Sequence, residues 1–172
     1  LPDADARDGT ATSIPLPDSS ADAVVCAQAF HWFATTDALR EIHRVLKPRG
    51  RLGLIWNIRA ESVDWIAALT TIIASHDGDT PRFAKGTWRA VFPFRGFTDL
   101  HEDRFAHAHT GSPEDVIINR VRSTSFIAAL PPDEEAKVVA QLRALIAATP
   151  ALAGKTEVRV PYSTVAYWTE KV

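Results

Sequence analysis

The stretch ADAVVCAQAFHWFATTDALREIHRVLKPRGRLGLIW, residues 21–56, decides the fold of this chain. Its run from Asp22 to Ala27 is apolar without alternation, which is typical of a buried strand in a parallel sheet. Thr35 or Thr36 can cap a helix whose inward stripe is Leu39, Ile42, Val45 and Leu46. Residues 51–56 form a second apolar run. This order of strand, helix and strand predicts a right-handed βαβ unit.

A turn is predicted between the helix and the second strand, at Lys47-Pro48-Arg49-Gly50. Proline suits the second position of a turn and glycine suits the last. We therefore interpret these residues as a type I turn, in which Arg49 is tolerated.

The remaining chain predicts helices and strands without a clear domain boundary. Helices are expected over 63–75, from Ser112 to about Ala128 with Asp115 completing the cap, and after Pro131. Strands are expected over 100–108 and over 157–170, the second interrupted at Pro161; residues 76–96 read as irregular. The fold class is α/β, with a mixed sheet, a helical insertion and an antiparallel C-terminal strand.

The composition is that of an ordinary globular protein, with 46% hydrophobic and 23% charged residues. A net charge of −2 gives no electrostatic reason to expect nucleic acid or an anionic membrane as partner. No secretory signal or apolar stretch of spanning length occurs, so a cytoplasmic location is predicted by default. The single cysteine, Cys26, excludes an intramolecular disulfide and is predicted to be a small buried residue.

Three segments in this order carry a resemblance to a known family: GTATSIPLPDSSAD at 9–22, QAFHWF at 28–33 and LREIHRVLKPRGRL at 39–52. They resemble the second half of the small-molecule branch of class I S-adenosylmethionine-dependent methyltransferases, the branch that includes trans-aconitate-type enzymes. The segments RSTSFI at 122–127, LP at 130–131 and VPYST at 160–164 fit the same resemblance. The ordered set covers nearly the whole chain and is more specific than any one segment.

The resemblance implies a partial Rossmann-like methyltransferase sheet, S-adenosylmethionine as cofactor and a small-molecule methyl acceptor. It also implies a single, incomplete domain over residues 1–172, since no G-x-G-x-x-G turn occurs and the family's acidic ribose-binding residue has no counterpart. By this resemblance Asp22–Ala27 is the family's fourth strand, and its neighbour, the first, is missing. An uncovered strand edge invites pairing, so we expect a homodimer through it.

Candidate cofactor-binding residues also follow from the resemblance. The loop that holds the adenine edge in the family corresponds to Thr10 and Ala11, although an ordinary loop threonine explains Thr10 as well. Ligands sit at the carboxyl ends of strands in open α/β sheets. The residues that leave the first strand are therefore interpreted as cofactor-side backbone: Ala27, Gln28, Ala29 and Phe30. The alternative for Phe30 is that its ring caps the core.

The acceptor pocket is predicted at His31 and Trp32. An unperturbed histidine pKa of about 6.5 suits a general base near neutrality, although a histidine between aromatic residues is often simply packed. Trp56, Asn57 and Arg59 follow the next strand end and are further candidates for the acceptor; Arg59 could equally form a surface salt bridge. His107 and His109 share one side of a predicted strand, but without a third ligand we predict no metal site.

The leading hypothesis for function is S-adenosylmethionine-dependent methyl transfer to a small molecule by a protein of which this chain is an incomplete part. The alternative is a non-catalytic, truncated remnant that acts as a binding or interaction module. A third hypothesis, an α/β nucleotide binder of another kind, would need a phosphate-binding loop, and the sequence contains none.

Overall fold

The computed structural model describes residues 4–172. Its four strands are β1 (Ala21–Ala27), β2 (Leu46–Arg59), β3 (His101–Gly111) and β4 (Val158–Glu170), and their order in the sheet is β1-β2-β4-β3. β1 pairs with β2 in parallel. β4 runs antiparallel to β2, because Arg49 N–H donates to Lys171 at 3.0 Å whereas Ala60 N–H donates to Pro161 at 3.1 Å. The predicted mixed sheet with an antiparallel C-terminal strand is confirmed.

Within residues 4–172, the α-helices are α1 (Thr36–Val45), α2 (Asp64–Ala74), α3 (Arg120–Arg122), α4 (Ser125–Ala128) and α5 (Pro132–Ala148). Short 3₁₀ helices span Phe30–Trp32, Phe83–Lys85 and Thr87–Val91, and a π-helix spans Glu114–Asn119. The predicted cap of α1 is confirmed, since Thr35 Oγ1 accepts from Ala38 N at 3.2 Å. Its predicted inward stripe is buried as well.

Contacts divide the described chain into two units. The first unit holds the described residues up to Trp56, together with Pro81–Arg104 and Val165–Val172. Its core combines the stripe of α1 with large aromatic rings, including Phe30, Trp56 and Trp88. The second unit holds Asn57–Thr80 and Phe105–Thr164. The prediction of one domain over residues 1–172 stays a prediction.

The second unit has an aliphatic core built from α2, the helices after residue 113 and the start of β4. Its buried members are mostly branched side chains, which pack densely and lose little rotamer freedom; they include Ile66, Leu69, Ile73, Ile117, Val121, Val138, Leu142 and Val160. Among residues 4–172, no helix combines the length and the apolar composition that crossing a bilayer requires.

The expected continuous helix from Ser112 to Ala128 is wrong. The predicted start is confirmed, because Ser112 Oγ accepts from Asp115 N at 3.1 Å and donates to the Asp115 carboxylate at 2.6 Å. The chain then forms the π-helix and α3, and regular helix breaks before α4. Ser123 Oγ donates to the Arg120 carbonyl at 2.9 Å, and such local bonds compete with continued helix.

Two strand predictions are also corrected. β1 is parallel as expected but not buried: Cys26 is its one buried residue, and Val25 is 60% exposed. The reason is that β1 lies at the end of the sheet order and has a neighbour on one side only within the described chain. The predicted interruption at Pro161 is wrong, because β4 continues through it and the Pro161 carbonyl still accepts from Ala60.

The predicted type I turn at residues 47–50 is wrong too. These residues already belong to β2, and Arg49 has φ +64°, in the left-handed region that favours glycine. The neighbouring backbone fixes this conformation, because Arg49 N–H donates to the Lys171 carbonyl at 3.0 Å and Lys171 N–H donates to the Gly50 carbonyl at 2.9 Å. An arginine is therefore held where the backbone is strained.

Arg49→Gly is expected to raise the free energy of unfolding, because glycine adopts positive φ without the cost of about 1–2 kcal/mol that other residues incur. Arg49→Ala is the matched control, since it removes the same side chain, including its 3.5 Å contact with Glu170, and keeps the strain. Urea denaturation of both variants measures the difference. Equal stability of the two variants would contradict the argument.

Candidate functional site

The end of β1 has an unusual backbone. Gln28, the first residue after the strand, has φ +56°, and its N–H donates to the Ile55 carbonyl of β2 at 2.8 Å. Non-glycine residues at positive φ cost free energy and cluster at functional sites. Ala27 and Gln28 are exposed and Ala29 is half-buried, so small side chains flank Gln28. This is the carboxyl end of a parallel strand, where ligands bind in open α/β sheets.

Phe30 directs its ring into the core of the first unit. Its side chain is 0% exposed and makes edge-to-face contacts with Phe33 and Trp88, at ring-centroid distances of 5.6 and 6.4 Å. The Phe30 ring therefore lies in the core, as the alternative interpretation proposed. A ligand at the strand end could contact only the backbone of Phe30.

The loop that carries Thr10 and Ala11 forms a tight turn. Thr10 and Ser13 exchange two backbone hydrogen bonds of 3.1 Å, and the Thr10 and Thr12 hydroxyls lie 3.3 Å apart. Thr10 is exposed and Ala11 is half-buried. The turn therefore presents two neighbouring hydroxyl groups on a short, closed backbone.

A charged clamp on α1 holds the chain that follows this turn. The Arg44 guanidinium donates to the Glu41 carboxylate through two nitrogens, at 2.8 and 2.7 Å. It also reaches the Asp18 carboxylate at 2.6 Å and the carbonyls of Leu16 and Ile14 at 2.9 and 3.1 Å. Glu41 in turn accepts from Ile14 N at 2.9 Å. The clamp explains the Glu-x-x-Arg spacing at residues 41–44.

These contacts shift the acid–base behaviour of both charged groups. The hydrogen bond from Arg44, and then the one from Ile14 N–H, lower the pKa of Glu41 from 4.5 to about 2. The same carboxylates raise the pKa of Arg44. Sequence analysis missed both residues as site-forming, although a glutamate three residues before an arginine on a helix was the available signal.

His31 and Trp56 lie together in the first unit. His31 belongs to the 3₁₀ helix Phe30–Trp32, and its Nδ1 accepts a hydrogen bond from Trp56 Nε1 at 3.1 Å. Burial, and then the positive charge of Arg82, lower the pKa of the half-buried His31. His31 is therefore mostly neutral near pH 7. Arg82 was missed by sequence analysis, because it lies in the segment that reads as irregular.

Trp56 is locked in an aromatic cluster at the centre of the first unit. Its ring lies 4.8 Å from Trp88, 4.9 Å from Phe83 and 6.1 Å from Tyr167. Arg89 closes the cluster: its guanidinium lies 4.4 Å from the Trp88 ring and donates to the Tyr167 hydroxyl. A cation on aromatic faces is attracted by their quadrupoles and covers them.

The other predicted acceptor residues have different surroundings. Trp32 is 51% exposed, with its ring 5.5 Å from His31. Asn57 and Arg59 belong to the second unit, where Asn57 Oδ1 accepts from Thr164 Oγ1 at 2.7 Å and Arg59 is half-buried.

Histidine and cysteine side chains elsewhere do not form a metal centre within residues 4–172, where no three His, Cys, Asp or Glu side chains are arranged to hold an ion. The His107 and His109 rings lie 5.1 Å apart in the second unit, and His109 also packs against Tyr162 at 4.9 Å. The Cys26 thiol is buried, and burial raises its pKa to about 11, which makes it a poor nucleophile.

Comparison with known proteins identifies the family. A sequence profile of the family described as methyltransferase domain matches residues 2–54. The chain is 42% identical to an uncharacterized methyltransferase of Schizosaccharomyces pombe, over 100% of this chain and 68% of that protein. It is 39% identical to an uncharacterized methyltransferase of Mycobacterium tuberculosis, over 96% of this chain and 65% of that protein. The chain belongs to the class I S-adenosylmethionine-dependent methyltransferases.

A methyltransferase-like protein of Schizosaccharomyces pombe is 39% identical over 99% of this chain, and the chain spans 66% of its length. The chain thus covers about two thirds of the length of these three relatives, from 65% to 68%. Placement in the trans-aconitate-type branch stays a prediction.

Solved structures agree with the fold. A proposed type II methyltransferase from Anaeromyxobacter dehalogenans superposes with a TM-score of 0.62 at 17% identity, covering 95% of this chain and 69% of that one. The YcgJ protein from Bacillus subtilis gives a TM-score of 0.50 at 21% identity, over 96% of this chain and 70% of that one. At these identities the likeness establishes the Rossmann-like fold alone.

Glu41→Gln is expected to remove a pH-dependent contribution to stability. Because folding lowers the pKa of Glu41 to about 2, its contribution is fully present above the usual pKa of 4.5 and is lost as the pH falls towards 2. Thermal melts between pH 2 and 7 should show a steeper acid loss in the unsubstituted chain than in the variant.

Asp37→Asn is the control for this prediction, because Asp37 and Arg40 form an exposed ion pair on the same helix. Exposed pairs of this kind contribute little, so that variant should keep the acid profile of the unsubstituted chain. Parallel profiles for the Glu41→Gln variant and the unsubstituted chain would refute the role of the clamp.

Proposed function

We propose that this chain supplies cofactor-side and acceptor-side residues for S-adenosylmethionine-dependent methyl transfer to a small molecule. The observation that carries the proposal is the end of β1, where a strained Gln28 is followed within one turn by a histidine that a buried tryptophan orients. Membership in the methyltransferase family supports the same reaction. The small-molecule acceptor itself is a proposal, as is the activity of the whole protein.

The donor chemistry of the strand end fits the proposed cofactor. Ala27 ends β1 and Ala29 precedes the 3₁₀ helix, and both carry only a methyl side chain, so a ligand can approach the backbone around Gln28. The paired hydroxyls of Thr10 and Thr12 can hydrogen-bond to the amine of a nucleoside base. We propose Thr10, Ala11 and residues 27–30 as the groups that would hold S-adenosylmethionine, with Phe30 contributing through its backbone.

S-adenosylmethionine, when bound, supplies an electrophilic methyl group on a positively charged sulfur. The chain's own residues then have to orient the acceptor in line with that group and keep water away. His31 and Trp32 are proposed for this task, since one offers a polar ring atom and the other an exposed aromatic face. Trp56 is proposed to act through His31, and the roles of Asn57 and Arg59 at the acceptor stay predictions.

A second candidate function is that of a non-catalytic binding or interaction module, and the exposed edge of β1 favours it. The edge is short, carries the side chain of Val25 in solvent and has little charge to discourage pairing. We propose that a second copy of this chain binds the β1 edge. Two β1 strands can pair around a twofold axis, so that each covers the edge of the other. A cytoplasmic location also stays a prediction.

Titration of the chain with S-adenosylmethionine or S-adenosylhomocysteine is expected to raise its melting temperature. A native-state ligand at a hundredfold excess over Kd adds about 2.7 kcal/mol, or roughly 5–11 °C for a chain of this size. Ala27→Trp should abolish the rise by filling the strand end, whereas Ala23→Trp, an exposed position on the same strand, should preserve it. Absence of any rise in the unsubstituted chain would contradict cofactor binding by these residues and favour the interaction module.

Sedimentation velocity should show self-association of the unsubstituted chain that increases with concentration. Val25→Lys is expected to shift the population to monomer, because a lysine on an edge strand opposes pairing. Phe105→Lys is the matched control, since Phe105 is similarly exposed, at 58%, on the strand at the opposite edge of the sheet. A chain that stays monomeric at every concentration refutes the proposed dimer.

A further inference from the structure

The hydrogen bond between Trp56 and His31 determines where the imidazole carries its proton. An indole N–H is a donor only, so His31 Nδ1, which lies 3.1 Å from Trp56 Nε1, must be an acceptor. A neutral imidazole has one N–H and one acceptor nitrogen. The proton of neutral His31 therefore sits on Nε2.

Trp56 has little freedom to give up this bond. Its side chain is 1% exposed and is packed by Trp88 and Phe83 at ring distances of 4.8 and 4.9 Å. A rotated indole would clash with these rings, and a buried N–H without a partner is costly. The aromatic cluster thus holds the indole, and the indole holds the imidazole.

We infer that Trp56 is a positioning residue that fixes His31 as the Nε2–H tautomer, so that His31 offers the methyl acceptor a hydrogen-bond donor instead of a base. A general base would need a free lone pair facing the acceptor, but the Nδ1 lone pair is engaged by Trp56 and Nε2 holds a proton. The acceptor side of this inference rests on the proposed methyl transfer. The tautomer does not, because it follows from the two side chains alone.

The donor role restricts the chemical class of the acceptor. A group that accepts from Nε2–H must carry a lone pair, and an anionic oxygen makes the strongest hydrogen bond with such a donor. Such an oxygen attacks the methyl carbon directly: the oxygen–carbon bond forms, the sulfur–carbon bond breaks, and its electron pair stays on sulfur. No proton needs to leave the acceptor, so the reaction balances without a base. The acceptor class is therefore a small molecule with an anionic oxygen.

The test is a long-range ¹H–¹⁵N correlation spectrum of the ¹⁵N-labelled chain, which distinguishes protonated from unprotonated imidazole nitrogens. The unsubstituted chain should show a protonated Nε2 and an unprotonated Nδ1 for His31, with a coupling from the Trp56 indole proton to Nδ1. Trp56→Phe is expected to give a mixture of tautomers and to raise the pKa of His31, because the lost hydrogen bond favours the neutral ring. Trp168→Phe, which removes an indole bond to Asp103 of 3.0 Å, should leave His31 unchanged.

A proton on Nδ1 of the unsubstituted chain would overturn the inference, and so would an unchanged tautomer in a folded Trp56→Phe variant. The spectrum of the unsubstituted chain decides the matter even where that variant does not fold. The measurement needs neither cofactor nor acceptor, so its failure is distinct from a failure of the proposed methyl transfer, which the melting experiment reports.

Discussion

The first unit depends on the hydrogen bonds that the Arg44 guanidinium donates. The guanidinium makes five hydrogen bonds: two to Glu41, one to Asp18 and one each to the Leu16 and Ile14 carbonyls. Arginine has five N–H donors in a rigid fork, so this side chain uses its full capacity. A lysine could neither span the same acceptors nor keep its direction. Residues 14–18, which precede β1, are thereby attached to α1.

The same C-terminal end of α1 is also held by Lys171, which follows β4 in the sequence. Lys171 Nζ donates to the carbonyls of His43 and Leu46, each at 2.7 Å, where the last turn of the helix has unpaired carbonyls. The Lys171 backbone also pairs with Arg49 and Gly50. Two charged side chains therefore converge on the C-terminal end of α1, and the Lys171 backbone fixes the start of β2, including the strain at Arg49.

Local sequence patterns predicted the structural features that depend on interactions between residues close in sequence. The Thr35 cap and the Ser112–Asp115 cap depend on neighbours within four residues, and both are confirmed. The candidate site residues were predicted from the ends of the strands and from the family resemblance. Both His31 and Trp56 were predicted in this way, but the hydrogen bond between them was not. That bond joins residues 25 positions apart and needs the βαβ geometry, which the sequence implies only in outline.

What could not be predicted depends on tertiary neighbours. Arg49 reads as a tolerated turn residue until the backbone of Lys171 fixes its φ angle. Phe30 is predicted at the cofactor side, with a core position as the alternative, and only the folded chain shows that Phe33 and Trp88 contact its buried ring. Arg82 and Arg89 lie in a segment without periodicity, and only the folded chain places one in the field of His31 and the other on an aromatic cluster.

Two of the non-glycine residues at positive φ, Arg49 and Gln28, differ in what their side chains explain. At Arg49 the conformation follows from strand pairing, and the exposed side chain reaches Glu170 only at 3.5 Å, so glycine would serve the fold at least as well. At Gln28 the same cost of about 1–2 kcal/mol is incurred at the ligand end of a parallel strand, between two alanines. A fold that needed only the backbone angle there would be better served by glycine. The backbone of Gln28 is nevertheless held there, because its N–H donates to the Ile55 carbonyl of β2 at 2.8 Å, so the strained residue is fixed at the proposed ligand end of the sheet.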